Sequence, residues 1–245
     1  MQRAVVVAAI LLAGAGAYAQ ARPERDRARP FFRTAQGLMR SEQYPEAAKS
    51  FQQAIDVDRE FEDAYYGLGL ANMRMRKYSE ALISYTKCRD LYQAMAGKQF
   101  SSKQDAQRYR QDRLTEIDES IRTYQSGPQN AQSQDRVRQL QQQRREIQDR
   151  ISRGSDMSIS NTIPSFVSLA LGSAYFRLQQ WPDAEREFKA AIATDPKSGE
   201  AFNNLAVVYL QTGRFKEADD AVKSAEKAGY TVHPQLKQDI KAKLG

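Results

Sequence analysis

The chain of 245 residues is short of the residues that do chemistry. It has one cysteine, Cys88, so no intrachain disulfide can form and no thiolate metal site can be assembled. It has one histidine, His233, which stands before Pro234 with no second histidine or cysteine nearby, so it lacks the company of a metal ligand or catalytic base. Proline numbers 8 and glycine 13. Gly67 and Gly69 are too few for a phosphate loop. The serines between Gly154 and Ser160 have neither the Gly-x-Ser-x-Gly nor the Ser-x-x-Lys context of a nucleophile. Glu116 and Glu119 read as solvated carboxylates on a charged helix face rather than as an acid–base pair. Nothing marks an enzyme, a metal site or a cofactor site.

Long apolar runs are missing too, with one exception. Met1-Gln2-Arg3 is a short basic start, Ala4 to Ala17 is apolar and small, and Ala17-Tyr18-Ala19 has the form of a cleavage site. The run falls short of the roughly 20 residues that span a bilayer. Residues 1–19 therefore read as a signal peptide, and no membrane span is expected once it is removed. No cysteine follows the cleavage site to take a lipid. The expected location is exported, periplasmic or secreted.

What the chain does have is 41% apolar and 27% charged residues, the balance of a helical protein with a real core. The apolar residues repeat. From Ser165 to Ser198, Leu171, Tyr175 and Leu178 share one helical face, and Ala184, Phe188, Ala191 and Ile192 share another. Gly172 and Ala184 are small where two helices must approach closely. Trp181-Pro182 suits the first turn of the second helix, and Thr194-Asp195-Pro196 ends it.

A shift of 34 residues gives a second copy: Phe202, Leu205, Ala206, Tyr209, Ala218, Val222 and Ala225, with Tyr230 in place of Pro196. Tyr65, Leu68, Gly69, Asn72, Ala81, Tyr85 and Cys88 form another. Ala47, Phe51 and Ala54 belong to a fourth copy, whose first helix is poorer, with Phe31, Ala35 and Leu38 at the marker positions. Every copy has an aromatic three residues before the small residue of its second helix: Tyr44, Tyr78, Trp181 and Phe215.

The period breaks once. Ala81 to Ala184 is 103 residues, which leaves an insertion of 69 after one period is removed. Inside it Leu114, Ile117, Ile121 and Tyr124, then Val137, Leu140, Arg144, Ile147 and Ile151, follow heptad spacing. Ser126-Gly127-Pro128 separates them. Two helices folded back antiparallel, a coiled-coil arm, are expected. Past the last copy, His233-Pro234 opens a final helix with Leu236, Ile240 and Leu244 on one face, placed to cover the end of a stack.

Leu171-Gly172, Tyr175, Ala184, Phe188 and Pro196 resemble the pattern of the tetratricopeptide repeat family, a helix–turn–helix unit of 34 residues; only the leading Trp is replaced, by Ser168. The resemblance implies an all-α solenoid: residues 20–28 as a basic, flexible lead-in, 29–93 as repeats one and two, 94–164 as the insertion and its return loop, 165–232 as repeats three and four, and 233–245 as a capping helix.

It also implies a function. First helices in this family line a concave groove, and the ligand-facing positions carry over as Phe32, Gln36, Met39 and Arg40; Tyr66, Leu70, Met73 and Arg74; Leu169, Ser173, Phe176 and Arg177; and Asn203, Val207, Leu210 and Gln211. The competing use of these residues is packing between repeats. The set lacks the Lys/Asn pattern of the chaperone-tail-binding members. The expected role is a non-catalytic scaffold or adaptor of the cell envelope, with a protein or peptide segment, apolar and acidic, as partner. The alternatives are self-assembly through the arm and an accessory subunit of an envelope enzyme complex.

The formal net charge is +7, from 37 Lys and Arg against 30 Asp and Glu. The arm, Gly97 to Gly154, mixes 12 basic with 8 acidic residues, the pattern of a solvated helix pair rather than a phosphate-tracking stripe. Together with export this argues against nucleic acid. N-terminal sequencing of the exported protein is expected to begin at Gln20. A mature chain that keeps Met1 would overturn the signal-peptide reading.

Overall fold

The computed structural model describes residues 23–97, 99–100, 102–127, 131–153 and 163–244, and among them eleven helices. The cleavage site and the return loop over 154–162 lie outside the described residues. The helices are α1 (Pro23–Arg40), α2 (Tyr44–Val57), α3 (Glu62–Arg74), α4 (Tyr78–Met95), α5 (Lys103–Gln125), α6 (Ala131–Arg153), α7 (Ser165–Arg177), α8 (Trp181–Thr194), α9 (Gly199–Gln211), α10 (Phe215–Lys227) and α11 (Pro234–Leu244). They fall into two compact units, Ala28–Ala94 with Thr162–Gly245, and Met1–Arg27 with Met95–Asn161.

The larger unit is a solenoid of four helix pairs, α1/α2, α3/α4, α7/α8 and α9/α10. The second helix of each opens on the aromatic noted above: Tyr44, Tyr78, Trp181 or Phe215. Pro45 and Pro182 sit in the first turn of α2 and α8, where no amide partner is lost. Within a pair, a large side chain of the second helix lies on a position of the first that lacks bulk. The Phe188 ring covers Gly172, where a Cβ would come within 2.6 Å of it, and the Tyr85 ring covers Gly69 in the same way. Ala35 faces Phe51, and Ala206 shares a cluster with Val222. Between pairs, Phe51 also covers Gly67 of the next repeat.

The insertion does not interrupt the stacking. Ala81, Tyr85 and Cys88 of α4 share one buried cluster with Phe166, Val167, Ala170, Leu171 and Ala174 of α7, and Tyr92 and Ile163 pack against its edge. Arg89 of α4 donates to Glu187 of α8 at 3.2 Å. The buried thiol of Cys88 is a packing atom in that cluster. At the far end Leu236 and Ile240 of α11 join the core of the last two pairs. Leu244, expected on the same face, is 48% exposed, because it is the last turn of the helix and passes beyond the core.

Two further expectations change. Phe31, expected at the first marker position of repeat one, is 38% exposed, and its neighbour Phe32 takes the inner position, against Phe51 and Phe61. The lead-in over 20–28 is not flexible throughout: helix α1 already begins at Pro23.

In the smaller unit α5 and α6 pack against each other, with Leu114, Ile117 and Leu140 buried and Arg144 bound to Asp118 at 2.7 Å. Ser102 caps α5 by accepting from the Asp105 amide at 3.1 Å. Glu116, expected to be solvated, is buried. Arg113 at 2.7 Å and Arg25 at 3.4 Å hold its carboxylate, and these two cations offset the loss of water. Arg25 is itself buried, so the first turn of α1 is anchored here rather than trailing.

Two outcomes are expected in unfolding experiments. Gly172→Val drives a branched side chain into the Phe188 ring and should cost about 2–3 kcal/mol. Replacing residues 97–161 with a short linker should leave the repeats unfolding in one cooperative transition. Two separate transitions would show that repeats two and three do not support each other.

Candidate binding face

The four first helices form one contiguous layer. Phe32 of α1 packs on Phe61, at the start of α3, with ring centroids 4.8 Å apart. Tyr66 of α3 meets Phe166 of α7 edge-on at 4.8 Å. Leu169 of α7 lies in one core cluster with Leu205 and Ala206 of α9.

Each of these helices ends in the same turn. Glu42, Arg76, Gln179 and Gly213 adopt left-handed backbone, with φ of 57°, 61°, 58° and 75°. The amides that follow, of Gln43, Lys77, Gln180 and Arg214, donate to the carbonyls of Leu38, Asn72, Tyr175 and Tyr209 at 2.8–3.0 Å. This is the Schellman motif. A side chain with a Cβ in this region costs roughly 1–2 kcal/mol, yet three of the four repeats use one there. Common backbone geometry places Arg40, Arg74, Arg177 and Gln211, two residues earlier, equivalently in all four repeats.

The sixteen expected groove residues sort by position. At the first, Phe32, Tyr66 and Leu169 are used in packing between first helices, and Leu169 is only 8% exposed. Asn203, the fourth member, donates its side-chain amide to Oδ1 of Asn204 at 3.4 Å. At the second, Gln36, Leu70, Ser173 and Val207 are half-buried, and the Ser173 hydroxyl donates to the Leu169 carbonyl at 2.9 Å. At the third, Met39, Met73, Phe176 and Leu210 are half-buried, with Phe176 edge-on to Trp181 at 5.1 Å. At the fourth, Arg40, Arg74, Arg177 and Gln211 are exposed. Three of the four residues of the first column thus also take part in packing between repeats.

The charge of the face is one-sided. Beyond their first turns α1, α3, α7 and α9 carry no Asp or Glu at all. Those at the helix starts include Glu62, which is buried, and Glu200, whose pKa burial pushes up. Sequence reading missed this polarity, although sorting the charges by helix rather than along the chain would have found it. The carboxylates of repeats three and four instead gather on second helices. Glu185 accepts from Arg214 at 2.6 Å and Lys189 at 2.7 Å, Arg214 also pairs with Glu217, and the Arg214 guanidinium lies 4.3 Å from the Tyr209 ring centroid.

Burial works to raise the Glu185 pKa, but the hydrogen bonds from Lys189 and Arg214 outweigh it and hold the carboxyl below the usual carboxylate range. His233 has a local role: its Nδ1 accepts from the Gln235 amide at 3.2 Å at the start of α11. No group of three or more His, Cys, Asp or Glu side chains that could hold a metal occurs among the described residues.

Models of the tetratricopeptide repeat match residues 38–75, 62–94 and 169–229. Several solved structures are similar. PilW, described as a widely conserved type IV pilus biogenesis factor, is 16% identical, covering 89% of this chain and 86% of its own, with a TM-score of 0.43. A TPR protein of Thermus thermophilus is 18% identical, covering 89% and 98%, with a TM-score of 0.37. YrrB, described as having an unusual peptide-binding site, is 16% identical, covering 88% and 92%, with a TM-score of 0.31. No curated protein matches.

A folded-state pKa below the unfolded value means that Glu185 contributes stability above the ordinary glutamate range and loses it as pH falls through the lowered value. Glu185→Gln should therefore lower stability at neutral pH by about 1 kcal/mol or less, since the network is partly exposed. The gap from wild type should close in acid, which melting curves across pH would read.

Proposed function

Because the chain is a tetratricopeptide-repeat protein, we propose that it is a non-catalytic scaffold that holds a segment of another protein along the face of its first helices. The observation that carries this reading is the unbroken layer from α1 to α9, with adaptable apolar side chains such as Met39 and Met73 half-exposed along it. An extended segment crossing several repeats would meet the same arrangement in each, so modest contacts add along its length. Residues of the face need no mutual catalytic geometry for this.

The site of action in this reading is the cell envelope or the medium outside it. The basic start, short apolar run and Ala17-Tyr18-Ala19 support export. No described helix is long and apolar enough to cross a membrane. The α5–α6 arm is read as a second contact region, in addition to the repeats.

Selection of a random peptide-display library on the mature protein should enrich a family of related sequences. Soluble peptides of that family should compete with one another for one site. Failure of any sequence to enrich over an unrelated helical protein would overturn the scaffold reading.

A further inference from the structure

We propose that the partner of this face is a protein segment in which acidic side chains alternate with apolar ones, its acidic part lying on repeats one to three and its neutral end on repeat four. The inference rests on the scaffold reading above and adds the chemistry of the partner. It is carried by charge and by register together.

The register comes from the turns. Arg40, Arg74 and Arg177 occupy the last turns of α1, α3 and α7, and the repeated left-handed turn sets each of them equivalently. Next to each stands an apolar residue of the third column, Met39, Met73 or Phe176. A strand running across the repeats therefore meets a cation and an apolar patch in each of three successive repeats.

The charge comes from what the first helices leave out. With no carboxylate beyond the first turn on any of the four, every charge that these helices themselves bring to the layer past that turn is positive. Acids of the second helices in repeats three and four have cations of their own there, as in Asp183–Arg186, Asp219–Lys223 and Glu185–Arg214. Helix dipoles favour a cation at each C-terminus, which explains one arginine but not the absence of acids along the whole layer. Guanidinium groups suit carboxylates because both hydrogen bonds of a planar pair can form. Repeat four has the same turn and an apolar Leu210, but Gln211 in place of arginine, so its share of the segment is neutral.

Two short synthetic peptides test this by fluorescence anisotropy with the mature protein: one alternating Glu with Leu, and the same peptide with Gln for every Glu. The Glu peptide should bind about tenfold tighter or more, and its advantage should shrink as salt rises. Arg74→Glu with Arg177→Glu should abolish the preference, and a melting curve checks that these exposed substitutions leave the fold intact. Gln211→Arg should tighten binding of the Glu peptide by extending the column into repeat four.

Equal affinity for the two peptides, or no binding of either beside a successful library selection, overturns the acidic partner while leaving the scaffold reading in place. Tighter binding of a single-stranded oligonucleotide than of the Glu peptide also overturns it. Should the double variant fail to fold, the peptide pair and Gln211→Arg still decide the matter.

Discussion

The larger unit depends on one packing constraint: a large side chain of a second helix lying on a position of the first that is glycine or alanine. Phe188 on Gly172 and Tyr85 on Gly69 bring the two helix axes close enough for the small residues Ala174 and Ala184, or Ala71 and Ala81, to be fully buried. Close packing of this kind leaves little tolerance for added volume. Where the small residue is alanine, at Ala35 and Ala206, the opposing side chains are still buried. At Gly69 and Gly172 a full ring lies on the backbone, a contact that offsets glycine's cost of about 1 kcal/mol in helix propensity.

Much of this was legible because the constraint leaves a mark on sequence. A helix pair that must bury one face against its neighbour repeats the same large and small residues at a fixed interval, and that interval survives changes such as Ser168 for Trp or Tyr230 for Pro. The helix starts at Tyr44, Tyr78, Trp181 and Phe215 could be read for the same reason. What could not be read were contacts made between distant parts of the chain. Arg25 with Glu116, and Arg89 with Glu187, are separated by 91 and 98 residues and follow no period. Glu116 looked like a surface carboxylate because its local sequence is charged; Arg25, from far along the chain, joins the nearby Arg113 in making its burial tolerable. At the candidate face, the spacing identified the positions but not their use. Phe32, Tyr66 and Leu169 are positions of the expected groove that also carry the packing of neighbouring repeats.

The left-handed turns show how a repeat can keep geometry while its composition drifts. Gly213 satisfies the turn with no strain, and in the other repeats Glu42, Arg76 and Gln179 hold the same φ against a steric cost. Two backbone hydrogen bonds in each turn recover part of that cost by satisfying carbonyls at the helix end. Since the residue two positions earlier is placed by this turn, its orientation is inherited by every repeat whether or not its identity is. Three repeats put arginine there and one puts glutamine.

The same separation of geometry from identity explains why 69 residues can enter between two repeats without breaking the stack. The surfaces that α4 and α7 offer each other are the surfaces any two consecutive repeats offer: Tyr85 and Cys88 on one side, Phe166, Ala170 and Ala174 on the other. Their mutual burial needs only that the ends of the insertion lie close together, and the cluster itself brings them there, with Tyr92 and Phe166 rings 6.4 Å apart at its edge. Closing a longer loop costs little extra entropy once its ends are held, since the cost grows only with the logarithm of length. The junction where the chain is least local is thus made by one buried cluster that α4 and α7 share, and the layer of first helices passes across it unbroken.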